Sequence, residues 1–215
     1  ILRLRLRLPP KAQFRFIPGQ YINLIRKNGL QRSYSLASNC KGQVLEMHVR
    51  RVPNGIMSEY LFENAKVDDL LRISGPHGTF ILYPLVESEL IFVATGTGIG
   101  PVKSMIEQIE SMPADELPQS IKILWGMRRE DEIYWSPSNK LDKIDFIPVL
   151  SQACDSWSGE RGYVQDVLFR SNLITPQTYI YSCGSEAMIN ATKSKAFSAG
   201  LKEEKFYSDS FVASN

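Results

Sequence analysis

The segment LIFVATGTGIGPVKSMIEQI, residues 90–109, constrains the fold more than any other part of the chain. It begins with a continuous apolar run, turns at closely spaced glycines, and continues with apolar residues at helical spacing. This order of strand, glycine turn and helix is the opening unit of an α/β domain that binds a nucleotide. Pro101 suits the first turn of such a helix, where its missing N–H has no partner to lose.

Further apolar strands alternate with helical stretches after this first unit. The strands are predicted at residues 121–125, 146–150 and 179–182, and the helices at residues 162–169 and 186–199. Apolar strands separated by helices indicate a parallel sheet that is covered on both faces. The sequence therefore predicts an α/β parallel-sheet nucleotide-binding domain, which we assign to residues 85–215.

The first part of the chain has a different pattern. Leucine at even positions from 2 to 8 alternates with arginine at positions 3, 5 and 7, which gives a strand one apolar and one basic face. More strands are predicted at residues 21–25, 33–37, 44–52 and 70–74, with one short helix at residues 58–64. Short strands at this density typically close into a barrel. We therefore assign a small antiparallel β-barrel to residues 1–84, so that the fold has two domains.

Charge and cysteine usage exclude several kinds of partner. Lysine and arginine number 25 against 23 acids, so the net charge of +2 gives no reason to expect nucleic acid or an anionic membrane. No apolar run reaches the length that spans a bilayer. Cys40, Cys154 and Cys183 lie far apart and near neither histidine, which predicts no metal site and fits a reducing cytoplasm.

Two glycine elements are candidates for binding a nucleotide. Gly96, Gly98 and Gly100 would leave backbone N–H groups open to a diphosphate at a helix N-terminus, or would serve only tight packing of strand and helix. Cys183 and Gly184 end a later strand, and the carboxyl ends of parallel strands meet at one crevice. The alternative for Cys183 is a small apolar residue of the core.

Two polar stretches remain open on the residues alone. Arg128 and the arginine after it could pair with a ribose 2′-phosphate, but two acids follow, which suit a free 2′-hydroxyl, and a solvated loop is the alternative. Arg32 and Tyr34 supply a cation and an aromatic ring on a predicted strand, or form an ordinary exposed polar strand.

Six short motifs occur in one order along the chain. They are RSYS at 32–35, HVR at 48–50, NGIMS at 54–58, GTGIGP at 96–101, SCGS at 182–185 and SDSF at 208–211. In this order and over essentially the whole chain, they resemble the ferredoxin–NADP reductase family. LRLPP, PGQY and FYSDSFVAS add a similarity to the bacterial reductases that serve CDP-6-deoxy-hexulose dehydrases in deoxysugar biosynthesis.

The resemblance implies that FAD binds to the barrel. Arg32 would bind the FAD diphosphate, Tyr34 would pack on the flavin, and the Ser35 hydroxyl would approach flavin N5; we call these three residues the flavin shelf. Other implied cofactor-binding residues are Ser33, His48, Val49, Arg50, Gly55, Ile56, Met57 and Ser58. The last four open the short helix, where backbone amides and the Ser58 hydroxyl would hold the diphosphate.

The resemblance also implies that NADH or NADPH binds to the second domain. Gly96, Thr97 and Gly98 would carry the nucleotide, Cys183 and Gly184 would lie close to the nicotinamide ring, and Arg128 would contact the adenosine side. Asp209 would relay a proton and Phe211 would cover the flavin. The implied catalytic residues are Ser35, Cys183 and Asp209.

These implications predict an FAD-dependent reductase that takes hydride from NADH or NADPH and passes electrons one at a time to an iron–sulfur centre. Three scattered cysteines cannot ligate a cluster, so we expect that centre on a partner or on a domain that precedes Ile1. One alternative is a free-flavin reductase, although a helix start at residues 55–58 has little purpose there. Another is a non-catalytic electron-transfer or sensor module of the same fold.

Overall fold

The computed structural model describes residues 1–39, 42–83, 86–170 and 174–211. Cys40 and the two residues at the predicted domain boundary, 84 and 85, lie outside these ranges. Within the described ranges, every helix is too short or too polar to cross a membrane.

Two antiparallel sheets form the first part of the chain. Their strands are β1 (Leu2–Arg7), β2 (Tyr21–Ile25), β3 (Gln31–Ser35), β4 (Val44–Val49) and β5 (Arg72–His77). β1 pairs with β4, the second sheet has the order β3-β2-β5, and a bridge between Leu36 and Met47 joins the two. Side chains from both sheets share one buried core, as expected for a small barrel.

Partner strands set the limits of the barrel strands. β1 alternates as predicted, with half-buried leucines and exposed arginines. β3 begins and ends two residues earlier than the pattern suggests, and β5 lies about two residues later. Both strands pair with β2, whose pairing partners run from Gln31 to Ser35 on one side and from Arg72 to His77 on the other. Cross-strand pairing therefore overrides the local apolar pattern.

The first part also contains α1 (Ile56–Glu59), which continues as one π-helical turn at Tyr60–Asn64. The second part of the chain is a six-stranded sheet with helices. Its strands are β6 (Glu89–Thr95), β7 (Ser120–Met127), β8 (Ile144–Leu150), β9 (Glu160–Arg161), β10 (Thr178–Gly184) and β11 (Phe206–Ser210). All neighbours in the order β11-β10-β6-β7-β8-β9 are parallel. The predicted α/β domain is confirmed.

Helices cover both faces of this sheet. They are α2 (Ile99–Ile109), α3 (Val164–Leu168) and α4 (Glu186–Ser198). α2 packs on one face in a core with Phe92 and Trp125, whereas α3 and α4 pack on the other face around Val93 and Ile180. Both faces of the central strands are therefore apolar, which explains their continuous apolar runs.

The start of α2 lies against the barrel. Lys103 Nζ donates to the carbonyl of Ala37 at 2.6 Å, and Ser104 Oγ donates to the carbonyl of Ser38 at 2.8 Å. A Glu107 oxygen accepts from the backbone N–H of Asn39 at 3.0 Å. These bonds attach the first helix of the α/β part to the loop that follows β3, and so fix the two parts side by side.

Candidate active site

The end of barrel strand β3 meets the carboxyl ends of β10 and β11. The Ser35 hydroxyl lies close enough to the side chain of Asp209 on β11 to lower the pKa of its carboxyl. Asp209 is the register partner of Cys183 on β10. The structure thus brings together the three residues predicted to be catalytic, although they are distant in the sequence.

The Asp209 carboxyl lies in an environment that favours its protonated form. Burial raises its pKa from 3.8 to about 6, while the hydrogen bond from Ser35 acts in the opposite direction. A carboxyl with a pKa near neutrality can hold or release a proton under ordinary conditions. Asp209 is therefore chemically suited to exchange a proton with the Ser35 hydroxyl.

Cys183 is completely buried and packs in the same core as α2. Burial raises the pKa of its thiol well above the usual range, and the neighbouring Asp209 carboxyl raises it further. The thiol therefore stays protonated and has no nucleophilic character. The backbone of Cys183 contributes to the site, because its carbonyl group packs directly against Gly98.

The glycine turn at Gly96–Gly98 packs on the backbone of β10 at Gly98, where there is no room for a side chain. A Cβ atom at Gly98 would lie 2.7 Å from the carbonyl carbon of Cys183. Gly184 has φ of +137°, and a Cβ atom there would lie 2.9 Å from the carbonyl oxygen of Thr95. Thr95 also accepts a hydrogen bond from the backbone N–H of Ser185 at 3.1 Å. The two predicted nucleotide elements therefore form one site.

Gly96 faces a more open space. A Cβ atom at this position would meet only the guanidinium of Arg50, 4.0 Å away, among the described residues. The carbonyl of Gly96 accepts a hydrogen bond from the indole of Trp125 at 2.9 Å, which fixes the turn. An anionic group in front of Gly96 would thus face a cation from the barrel. Gly100, in contrast, faces Ala37 and His48, so its role is packing against the barrel.

The flavin shelf alternates as a regular strand. Arg32 and Tyr34 are half-buried on one face, and burial raises the pKa of Tyr34 to about 12, although Arg32 partly opposes this shift. Ser33 points the other way and donates to Asn23 at 2.7 Å. Ser35 is also half-buried, but this alternation places it on the face of Ser33, so Ser35 could share a ligand with Arg32 and Tyr34 only at the strand end.

The remaining barrel candidates have mixed surroundings. His48 is buried and its ring contacts Tyr134 of the α/β part, whereas the side chain of Val49 lies in the barrel core. The Ser58 hydroxyl donates to the carbonyl of Gly55 at 2.9 Å and accepts from the backbone N–H of Val52 at 3.1 Å. In this structure Ser58 therefore holds the turn before α1 closed.

The first two residues of helix α1 supply no polar side chain. Ile56 is exposed and Met57 is buried in the barrel core. The predicted contribution of these two residues therefore rests on their backbone N–H groups.

An open pocket of about 480 Å³ lies beyond the carboxyl ends of β7 and β8. Its walls are formed by Arg129, Glu130, Asp131, Gln152 and Cys154. Arg129 donates to both carboxylate oxygens of Asp131, at 3.0 and 3.2 Å. Arg128 is exposed beside this pocket, and its backbone N–H donates to Glu132 at 3.1 Å. This arrangement suits the ribose end of a nucleotide.

Phe211 is held beside the second glycine element. Its backbone N–H donates to the carbonyl of Gly184 at 2.8 Å, directly after β11 ends. Phe211 is half-buried and packs against the core of the α/β part. It therefore lies at the same junction as Asp209.

Sequence reasoning missed a buried polar cluster at this junction. Glu46 Oε1 lies 3.3 Å from His48 Nε2 and 3.2 Å from Lys103 Nζ, and Tyr134 Oη lies 3.2 Å from His48 Nδ1. The alternation of residues 46 and 48 with apolar ones in β4 indicates only that they share the outer face of the barrel, not that Lys103 and Tyr134 cover that face.

Two family models match the chain. The model described as an oxidoreductase FAD-binding domain matches residues 1–82, and the one described as an oxidoreductase NAD-binding domain matches residues 92–194. The two matched ranges correspond to the barrel and to most of the α/β part.

Curated proteins with similar sequences are longer than this chain. Protein RfbI of Salmonella typhimurium is 40% identical over 221 residues, which cover 100% of this chain and 65% of that protein. The CDP-6-deoxy-L-threo-D-glycero-4-hexulose-3-dehydrase reductase of Yersinia pestis is 39% identical, over 98% of this chain and 64% of that protein. The chain thus spans just under two thirds of these relatives.

Among solved structures, the cytochrome P450 reductase GcoB of Amycolatopsis has the same fold. It matches with a TM-score of 0.87 and 25% identity, over 97% of this chain and 64% of that one. The agreement extends over both parts of the chain and includes their relative placement.

Proposed function

Because the chain belongs to the ferredoxin–NADP reductase family, with an FAD-binding domain followed by an NAD-binding domain, we propose that it is the flavin-reducing part of an electron-transfer enzyme. It would take hydride from a nicotinamide nucleotide and pass electrons to an iron–sulfur centre. The observation that carries this proposal is the meeting of Ser35, Asp209 and the glycine turn at one junction.

The residues of the barrel fit FAD by their chemistry. Arg32 offers a cation for the diphosphate, Tyr34 offers a half-buried ring for the flavin, and Arg50, directly after β4, faces Gly96 of the glycine turn. The backbone of residues 48–50 and the helix start at residues 55–57 would complete the site. Bound FAD supplies the ability to accept a hydride and to release its electrons one at a time.

The glycine turn fits a nicotinamide nucleotide because it presents backbone without side chains. Gly98 and Gly184 pack so closely on neighbouring protein backbone that a Cβ would clash, which fixes the turn, while Gly96 faces the open side where a ligand could lie. Gly96 and Thr97 would hold the diphosphate, and Phe211 would exclude water from the junction. Holding two flat rings in a reactive pose contributes up to roughly 7 to 11 kcal/mol to such a reaction.

Ser35 and Asp209 are suited to proton handling at this junction. Below a pH of about 6 the Asp209 carboxyl carries a proton, and it is linked to the Ser35 hydroxyl. Ser35 would donate a hydrogen bond to flavin N5. The Asp209 carboxyl would take up a proton from solvent after each transfer, since this carboxyl is only partly buried.

We also propose NADH as the preferred donor. The pocket beyond β7 would take the adenosine ribose, and its walls carry Glu130 and Asp131. Arg129 is held by both oxygens of Asp131, so its charge is already balanced. An acid near the ribose favours a 2′-hydroxyl over a 2′-phosphate.

The relatives support a proposal for the biological setting. The Yersinia relative is a reductase for a CDP-6-deoxy-hexulose dehydrase, and we propose a corresponding role in deoxysugar biosynthesis for this chain. The iron–sulfur centre would lie on the part of the protein that the longer relatives contain, or on a partner. The described cysteines, Cys154 and Cys183, are free thiols, which agrees with a cytoplasmic location.

An anaerobic titration tests this function. The purified chain is mixed with FAD, freed of unbound FAD by gel filtration, and followed by its absorption near 450 nm after addition of NADH or NADPH. We expect retained FAD whose absorption bleaches more readily with NADH. A chain that retains no FAD but oxidises NADH when FAD is in excess would be a free-flavin reductase, and retained FAD that neither nucleotide bleaches would indicate a non-catalytic module.

A further inference from the structure

A chain of side-chain contacts leads from the barrel to the glycine turn; we call Glu46, His48, Tyr134 and Trp125 the interdomain relay. Glu46 contacts His48 at 3.3 Å, and His48 contacts the Tyr134 hydroxyl at 3.2 Å. The Tyr134 ring meets Trp125 edge-on, with centroids 5.1 Å apart, and Trp125 donates to the carbonyl of Gly96 at 2.9 Å. The relay therefore ends on the turn that would hold the nucleotide.

The relay has one consistent direction of hydrogen bonding. Although burial opposes it, the pKa of Glu46 is lowered, mainly by Lys103, so the carboxylate only accepts. The Nε2 atom of His48 must then carry the hydrogen, which leaves Nδ1 to accept from the Tyr134 hydroxyl. Burial lowers the pKa of His48, so the ring is neutral, and burial raises the pKa of Tyr134, so the phenol keeps its proton.

The relay is rigid at its barrel end and at its far end. The side chains of Glu46, His48 and Lys103 are 12%, 4% and 14% exposed. Trp125 is fully buried. Tyr134 has 37% of its surface exposed, but its hydroxyl points inward to the buried His48 ring. The phenol hydroxyl is thus the link between two fixed ends.

We propose that Tyr134 and His48 are positioning residues, which hold the glycine turn at Gly96 at a fixed distance from the flavin shelf. This inference rests on the proposed function. Neither side chain needs to touch the reacting atoms, because both act through Trp125 and the backbone of the turn. Loss of the link lets the turn move, and hydride transfer depends steeply on the distance between the two rings.

The replacement Tyr134→Phe removes only the hydroxyl and keeps both ring contacts. Tyr163→Phe is the matched control, since Tyr163 lies in the same domain and is 63% exposed. One neutral hydrogen bond corresponds to about a fivefold change in an equilibrium. We therefore expect the rate of flavin reduction at saturating NADH to fall about fivefold, with little change in the NADH concentration that gives half the maximal rate.

A second readout does not depend on flavin chemistry. Backbone amide hydrogen exchange at residues 95–100 reports how often the turn opens. In the FAD-free protein, we expect Tyr134→Phe to accelerate exchange there about fivefold, while Tyr163→Phe leaves it unchanged. Exchange in the helix α4 provides an internal reference within each sample.

The two readouts separate the relay from the proposed function. If exchange at residues 95–100 is the same in both variants, or if flavin reduction in Tyr134→Phe is as fast as in Tyr163→Phe, the positioning role is wrong. If neither nucleotide reduces the unmodified protein, the proposed function fails, and the exchange result alone then decides whether the relay holds the turn.

Discussion

Replacing Gly98 by alanine tests the junction most directly. Gly98 has φ of −59°, which any residue adopts, so the change adds a methyl group without straining the backbone. That methyl carbon would lie 2.7 Å from the carbonyl carbon of Cys183, whereas ordinary contact begins at 3.4 Å. The atoms that this methyl group would meet belong to the backbone of Cys183 and Gly184, so they cannot rotate away. The turn must therefore move away from β10 by at least 0.7 Å, which is the difference between these two distances.

The expected effect on hydride transfer follows from this displacement. A misplacement of about 1 Å can cost about 100-fold in rate, so 0.7 Å corresponds to roughly 25-fold as a lower limit. FAD should be retained, since the flavin shelf lies on the other domain. The assay is anaerobic stopped-flow reduction at saturating NADH, with the FAD content measured from the absorption spectrum.

Gly100→Ala is the matched control for this experiment. It adds the same methyl group two residues further along, where the nearest atom, Cβ of Ala37, would lie at an ordinary 3.5 Å. We expect its reduction rate to stay within about twofold, as for a substitution that needs no rearrangement. If Gly98→Ala reduces its flavin as fast as Gly100→Ala does, the placement of the nucleotide on this turn is refuted.

Three further changes address other parts of the site. Arg32→Ala should weaken FAD binding about 10- to 100-fold, the effect of losing a hydrogen bond to a charged group, as measured by FAD retained after gel filtration. Asp209→Asn should raise the free energy of unfolding at pH 8, because the raised pKa of the native carboxyl makes the stability of the unmodified protein fall as pH rises from about 4 to above 6. The full pKa shift corresponds to about 3 kcal/mol, which partial exposure reduces to about 1 to 2 kcal/mol. In denaturant titrations, this gain in stability should vanish near pH 4. Asp131→Ala should free Arg129 and lower the KM for NADPH about fivefold, as measured by steady-state kinetics.

Each of these changes has a control and a contradicting result. Arg15→Ala removes an exposed arginine from the same domain, and equal FAD loss in both variants would show that the effect is not specific to the shelf. Asp142→Asn is the control for Asp209→Asn, because it neutralises an exposed acid. If the stability gain of Asp209→Asn does not depend on pH, the Asp209 carboxyl is not its cause. An unchanged ratio of NADPH to NADH use in Asp131→Ala would argue against the ribose assignment.

The sequence was sufficient to predict the strands and helices whose buried faces are uniformly apolar. β6 and β7 are buried on both sides, so their composition reports their position directly, and α2 follows β6 with a clear helical period. β11 could not be predicted in this way. It is a half-exposed edge strand with the sequence FYSDS, and only its pairing with β10 makes it a strand.

The candidate site was only partly accessible from the sequence. The residues of the flavin shelf and the glycine turn were found through motifs, and the structure brings their ends together. Tyr134 and Glu46 were not found, because each has meaning only through a contact made across the two domains. The role of the Ser58 hydroxyl in holding the FAD diphosphate stays a prediction, and within the chain that hydroxyl donates to the carbonyl of Gly55 in its own turn. Hydrogen-bond partners depend on tertiary placement, which spacing alone does not encode.

The parallel order of the large sheet has a consequence for how such a protein tolerates change. Since β6, β7, β8 and β10 run in one direction, the segments that enter them, such as residues 111–119 and 140–143, gather at the rim opposite the glycine turn. Insertions, labels or fusion partners placed at that rim would leave the chemistry undisturbed. The rim at the amino ends of these strands can thus vary in evolution and in engineering, while the rim that carries the glycine turn is constrained by the reaction.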